Sequence, residues 1–282
     1  MSRIGNRLPS WATASAVHAL ITINVAVFAV TVILGERLGG RSLDQWLALN
    51  GEELLAGYGL GLLRLVSYQF AHSFTDPFHV LFNMLLLWWF GRRVEDDAGS
   101  RGLVHIYLMG GLLGGILQLV IALVGGHFGA MRLVGASGAV YAIMVYCAMA
   151  TPRLMVMLLG LIPVQLGLLV GILVALGAYY SLMELHGLKD SGTAHAAHLG
   201  GAIWGFCAFR VFRGYYLALG TGRGTLFPAL ARWRKRRAQV SQAEREFRLD
   251  EILDKVAREG MSALSAEERR FLERASKDLR GR

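Results

Sequence analysis

The feature that most constrains this chain is a succession of long apolar stretches, several reaching the roughly 20 residues that a helix needs to cross a bilayer core. They run from about Val17 to Leu38, Phe78 to Phe90, Leu103 to Val124, Ser137 to near Thr151, Val164 to Leu185 and Ala194 to Phe212. The apolar run from Leu154 to Leu185 is too long for one span, and Pro163 divides it. The expected fold is therefore all-α, a polytopic membrane bundle of six transmembrane helices. Only 17% of the residues are charged, below the roughly one quarter usual in soluble domains. The glycines fall inside the apolar stretches, where pairs such as Gly110/Gly114 and Gly111/Gly115 suit close contact between helices in lipid. Between the first two spans, residues 39–71 mix Glu52 and Glu53 with Trp46 and Tyr68, and read as a loop lying at the membrane interface.

Charge sets the expected orientation. The formal net charge is +9, and much of the excess follows the last apolar stretch. The positive-inside rule explains that placement without nucleic acid. Arg3 and Arg7, Arg92 and Arg93 with Arg101, Arg153, and the basic tail alternate with loops poorer in cations. This places both termini in the cytoplasm, with Arg37, Arg41 and Arg64 as exceptions on the outer side. No small-residue cleavage site follows the first stretch, which reads as a retained span. Three regions follow: a cytoplasmic segment over 1–16, a membrane core over 17–213, and a basic linker with a short helical module over 214–282. The run from Arg232 to Arg237 suits anionic lipid. A charged helix is expected from Gln242 to Arg258, ended by Gly260, and the run from Ser265 to Glu268 is a capping box. Cys147 and Cys207 lie in apolar stretches and imply no disulfide.

Few polar groups interrupt the spans, and three sites stand near the starts of their own. They are His79 with Asn83, Ser137 in the turn Gly135-Ala136-Ser137-Gly138, and His198. Each precedes an arginine, Arg92, Arg153 or Arg210, by about 12–16 residues, or roughly 18–24 Å of helix. In the expected topology all three then share one depth, about 10 Å below the outer surface of a core about 30 Å thick. Singly, each has a plain explanation: a helix–helix hydrogen bond for His79 and Asn83, small-residue packing for Ser137. Together they suit nucleophilic catalysis. A histidine in hydrogen-bond reach activates a serine hydroxyl. A tetrahedral intermediate needs donors aimed at its oxygen, which His79, Asn83 and the Ser137 backbone N–H can supply. Gly135 and Gly138 allow close backbone approach, and Tyr141 shares a helical face with Ser137 and can stack on the histidine. With no acidic residue read in the spans, a Ser-His dyad is expected rather than a triad. His195, three residues before His198, opens a second reading, in which His72, His79, His195 and His198 hold a metal or haem.

These residues resemble the rhomboid intramembrane serine proteases. The Gly-x-Ser-Gly element with tyrosine four after the serine matches Gly135 to Gly138 and Tyr141. The His-x-x-x-Asn element matches His79 and Asn83, and an Ala-His-x-x-Gly-x-x-x-Gly element matches Ala197, His198, Gly201 and Gly205. Arg64 resembles an arginine of the family's first loop, although Leu63 stands where tryptophan is usual; Gly91, Glu95, Gly99 and Ser100 resemble the end of its second span. The longer spacing from His72 to His79 departs from the bacterial pattern. The resemblance covers roughly residues 17–213. It implies a serine endopeptidase of a bacterial inner membrane that cuts single-span membrane proteins near the outer ends of their helices, without cofactor or metal. Ser137 is then nucleophile, His198 general base, and His79, Asn83 and the Ser137 N–H the oxyanion donors. Substrates are expected to enter beside the fifth span and the loop of about His186 to Thr193. The alternative is a silent relative that binds or chaperones membrane clients. The segment from Asp250 to Ala275 resembles a helical module that follows the core of some bacterial rhomboids.

Overall fold

The computed structural model describes residues 15–35, 40–55, 60–158, 161–187, 194–220, 237, 248–265, 267–272 and 275. Arg3, Arg7, Arg37, residues 188–193 and the basic run from Arg232 to Arg236 lie outside them. The described residues divide into two units, one within Met1–Leu226 and one within Phe227–Arg282.

In the first unit α1 (Ala16–Leu34) ends at Gly35, whose positive φ of 52° stops it short of the expected Leu38. Its first turn is anchored by Glu95, which accepts from the Ser15 hydroxyl at 2.6 Å and the Ala16 N–H at 2.7 Å. The carboxylate thereby satisfies a donor that every helix start leaves without an intrahelical partner. Short pieces follow: α2 (Leu43–Leu47), α3 (Gly51–Leu55), α4 (Arg64–Ser67) and 3₁₀ turns at Leu60–Leu63 and Tyr68–Phe70. Arg64 joins them, donating to the Ala48 carbonyl at 2.8 Å and pairing with Glu53 at 2.6 Å. This segment is no simple surface loop, because Tyr68 and Gln69 are fully buried.

The expected second and third spans form one long helix, α5 (Pro77–Val124), broken at Gly99, where φ is 73°. The expected stop at Gly91 is not one. A side chain there would press on Val17 at 3.2 Å, so Gly91 serves the packing of α1. Next come α6 (Ser137–Ala150), α7 (Leu166–Leu185) and α8 (His195–Gly220). Two small antiparallel ribbons depart from the all-α expectation. One pairs β1 (Leu49–Asn50) with β2 (Arg132–Leu133), the other β3 (Met155–Leu158) with β4 (Ile162–Gln165). The second ribbon takes up the apolar residues ahead of α7, with Pro163 inside β4.

Among the described residues three helices, α1, α5 and α7, are long and apolar enough to cross a membrane by length and composition, and α6 is a shorter apolar helix. Their outward faces carry Ile33 (70% exposed) and Leu168 (60% exposed), as lipid-facing surfaces do. The centre of the unit is α5, α6 and α8, and glycine brings their backbones into contact. A Cβ at Gly110 would lie 2.4 Å from Ala142 Cβ, and one at Gly114 would lie 2.6 Å from the Ala197 carbonyl oxygen. Gly110 and Gly114 thus sit at helix crossings, whereas Gly111 and Gly115 make room for Gln69 and Tyr68 of the segment before α5.

In the second unit residues 248–259 are helical and end at Gly260, with a positive φ of 83°. The capping box forms: Glu268 N–H donates to Ser265 Oγ at 3.2 Å, and Ser265 N–H to Glu268 Oε2 at 2.7 Å.

Candidate active site

Ser137 is the first residue of α6, and the turn leading to it is held from outside the helix. Gly135 N–H donates to the Tyr68 carbonyl at 3.0 Å, and Ala136 N–H reaches His72 Nε2 at 3.5 Å. Tyr68 is anchored in turn by its hydroxyl, which donates to the Gly111 carbonyl at 2.6 Å. Gly135 has no substitute here. Its φ is +120°, and a Cβ would lie 2.7 Å from two atoms of the His79 ring.

His198 is the fourth residue of α8. Its Nε2 lies 2.9 Å from Ser137 Oγ, within ordinary hydrogen-bond range. The approach depends on small residues on both helices: a Cβ at Gly201 would fall 1.9 Å from the Gly138 carbonyl oxygen, and one at Gly138 would lie 3.1 Å from the Ala197 oxygen. Tyr141, one turn along α6, stacks on the His198 ring with centroids 4.4 Å apart and planes 5° from parallel.

His79 is the third residue of α5, after the cap residue Asp76, whose carboxylate accepts its N–H at 3.2 Å. Its ring lies against Gly135, beside the serine turn, and meets His72 edge-on at 5.1 Å. Asn83 is buried one turn further, and its amide donates to the His79 carbonyl at 2.8 Å. Gly135, Ser137, Gly138, Tyr141, His79 and His198 therefore converge, with Asn83 braced behind His79.

Further polar groups surround this convergence. His72 is fully buried in the stretch before α5. Gln118 on α5 accepts from the Ala197 N–H at 3.2 Å and donates to Glu184 Oε1 at 2.6 Å. Glu184, near the end of α7, corrects the expectation that no acidic residue falls in a span. The signal for both was plain: an amide in Ile116-Leu117-Gln118-Leu119 and a carboxylate in Leu182-Met183-Glu184-Leu185. His195 stacks on Tyr180 at 4.7 Å and stands 6.0 Å from His198, ring centre to ring centre. Among the described residues no group of three or more His, Cys, Asp or Glu side chains is arranged to hold a metal ion.

Comparison with known proteins gives two family matches, one within each unit. The rhomboid domain model matches residues 60–215, and a family of unknown function (DUF6576) matches residues 236–278. The chain is similar to the rhomboid protease GlpG of Klebsiella pneumoniae, 36% identical over 128 residues, or 45% of this chain and 41% of that protein. It is also similar to the GlpG of Serratia proteamaculans, 29% identical over 187 residues, covering 66% and 60% of the two chains. The chain thus spans about two to three fifths of the length of these curated relatives. With three helices apolar enough to span lipid, this is a membrane protein. Its matched domain holds the whole convergence from His79 to His198, and the chain belongs to the rhomboid family.

Proposed function

We propose that the protein is an intramembrane serine endopeptidase working through a Ser137–His198 dyad, in a bacterial inner membrane. The observation that carries this reading is the 2.9 Å approach of His198 Nε2 to Ser137 Oγ at the first turn of an apolar helix. Ser137 Oγ attacks the scissile carbonyl carbon while His198 Nε2 takes its proton. The Ser137 N–H, His79 and the second N–H of the Asn83 amide stabilise the resulting oxyanion. Collapse expels the amine, which takes the proton from His198, and a water repeats the sequence to free the acid and restore the hydroxyl. Gly135 and Gly138 hold the backbones close, and Tyr141 orients the imidazole. No step asks for a metal or cofactor.

The finer topology belongs to the same reading. Taking α5 as two spans divided at Gly99, and adding α1, α6, α7 and α8, gives six, with both termini cytoplasmic. The membrane core over 17–213 carries the chemistry, and residues 214–282 form a cytoplasmic extension whose run from Arg232 to Arg237 touches anionic lipid. The substrates are single-span membrane proteins, and nucleic acid plays no part.

The test is labelling of detergent-solubilised protein with a fluorophosphonate probe, with cleavage of a single-span reporter in vesicles. Labelling and cleavage by wild type that both vanish in Ser137→Ala and His198→Ala are expected. Cleavage that survives Ser137→Ala overturns the assignment; a wild type inert in both assays leaves the silent, client-binding alternative.

A further inference from the structure

We infer that Glu184 is a positioning residue for the Ser137–His198 pair, acting through Gln118 on the first turn of α8. The inference rests on the reading of that pair as nucleophile and base.

The first N–H groups of any helix lack partners inside it. In α8 one of them, on Ala197, is shared between the Ala194 carbonyl at 3.1 Å and Gln118 Oε1 at 3.2 Å. Ala197 is the residue before His198, and its own carbonyl oxygen packs against Gly114 and Gly138. Gln118 therefore holds the backbone from which the imidazole projects. An amide can present either its oxygen or its NH₂ to a neighbour, and only the oxygen suits an N–H. What decides the orientation is the group at the other end. Glu184 Oε1 lies 2.6 Å from Gln118 Nε2, and an ionised carboxylate only accepts. It fixes the NH₂ on its own side and so turns the carbonyl oxygen toward Ala197. His127 Nε2, at 3.3 Å from the same oxygen, steadies the carboxylate from the loop after α5.

Gln118 is buried and the Glu184 side chain is 18% exposed, so water competes weakly for these bonds. The chain of contacts also ties α7 to the site. That helix buries only Leu166, Val170, Gly177 and Ser181 and leaves Leu168, Ile172, Leu176, Tyr179 and Leu182 outward. Its end is fastened to α8 by Tyr180 stacked on His195, and to α5 by Glu184 on Gln118. The position of α7 is thereby communicated to the histidine through hydrogen bonds rather than through packing alone.

The experiment compares wild type, Glu184→Gln, Gln118→Ala and the double variant in reporter cleavage in vesicles, fluorophosphonate labelling and thermal unfolding. Glu184→Gln keeps the shape but can donate, so Gln118 is free to turn over. The expected result is a fall in kcat of about tenfold, the lower end for losing a buried hydrogen bond to a charged group, with KM changed by less than about twofold. Labelling of Ser137 slows by the same factor, Gln118→Ala shows the same loss, and the double variant loses no more than either single one. The unfolding temperature, moving little in Glu184→Gln, separates positioning from general stability. Unchanged kcat and labelling in Glu184→Gln, or losses that multiply in the double variant, overturn the inference and leave the dyad standing. Wild-type cleavage that survives Ser137→Ala overturns the dyad and this inference with it.

Discussion

The imidazole of His198 is held on its face as well as at its edge. Tyr141 covers it in a nearly parallel stack, so in the proposed reaction the ring of Tyr141, and not its hydroxyl, orients the base. Tyr141→Phe is expected to keep reporter cleavage within about twofold of wild type, because the stack survives. Tyr141→Ala removes a contact worth about 0.5–1.5 kcal/mol and should slow cleavage roughly three- to tenfold. Equal losses in both variants would assign the effect to the hydroxyl. At this scale the sequence is informative for a simple reason: a polar group in an apolar span is costly and therefore rare. Ser137, His79, Asn83 and His198 stand out against their neighbours. Gln118 and Glu184 stand out as much, but their pairing joins residues 66 apart and only the fold reveals it. His72 is hidden differently, since it is fully buried itself while Thr75 and Asp76 just after it are exposed.

Among elements, the decisive contacts are between backbones. Gly201 faces the Gly138 carbonyl and Gly205 faces the Ala142 carbonyl, so α6 and α8 touch along two turns. Gly201→Ala would place a methyl 1.9 Å from that oxygen, and only separation of the helices relieves it. Overpacking of this kind costs about 1–3 kcal/mol or more. The expected outcome is a lowered unfolding temperature in detergent together with loss of fluorophosphonate labelling; full labelling at wild-type rate would contradict it. The helix starts at Pro77, Ser137 and His195 fall close to the expected ones because proline, a glycine-flanked serine and a histidine mark them. The hairpin of β3 and β4 was not legible. β3 is a four-residue apolar run that looks like the continuation of a span, and Pro163 and Gln165 in β4 are the two interruptions. The helical stretch from Gly91 to Gly99 was missed for the opposite reason. Its charges read as a loop, whereas Glu95 is consumed in anchoring α1 and Asp97 in a two-pronged pair with Arg213 at 2.7 and 3.0 Å.

For the whole molecule, the two units depend on different physics. The second, matched by a family of unknown function, has a small apolar centre with Ile252 and Leu264, and polar ties carry much of its definition. The Glu268 carboxyl is held below the usual carboxylate range by the Ser265 backbone N–H first, then by Lys255 and the Ser265 hydroxyl. A carboxyl lowered in the folded state adds stability above its unfolded value, near 4.3, and that stability fades as pH falls through the folded value. Hydrogen exchange on the full chain should therefore show residues 267–272 exchanging faster in Glu268→Gln than in wild type at pH 6, with the difference closing below about pH 4. A difference independent of pH would remove the charge from the explanation. The first unit is defined instead by where its helices begin. α5, α6 and α8 all start beside the Ser137–His198 pair, with His79 third, Ser137 first and His198 fourth in their helices. Aligned peptide dipoles leave about half a positive charge at each helix start, so three such ends converge on one point. In the proposed reaction that field greets the negative charge forming on the carbonyl oxygen before any side chain moves. It also repels a lysine or arginine of a substrate at the scissile bond, an exclusion written by the direction of three backbones.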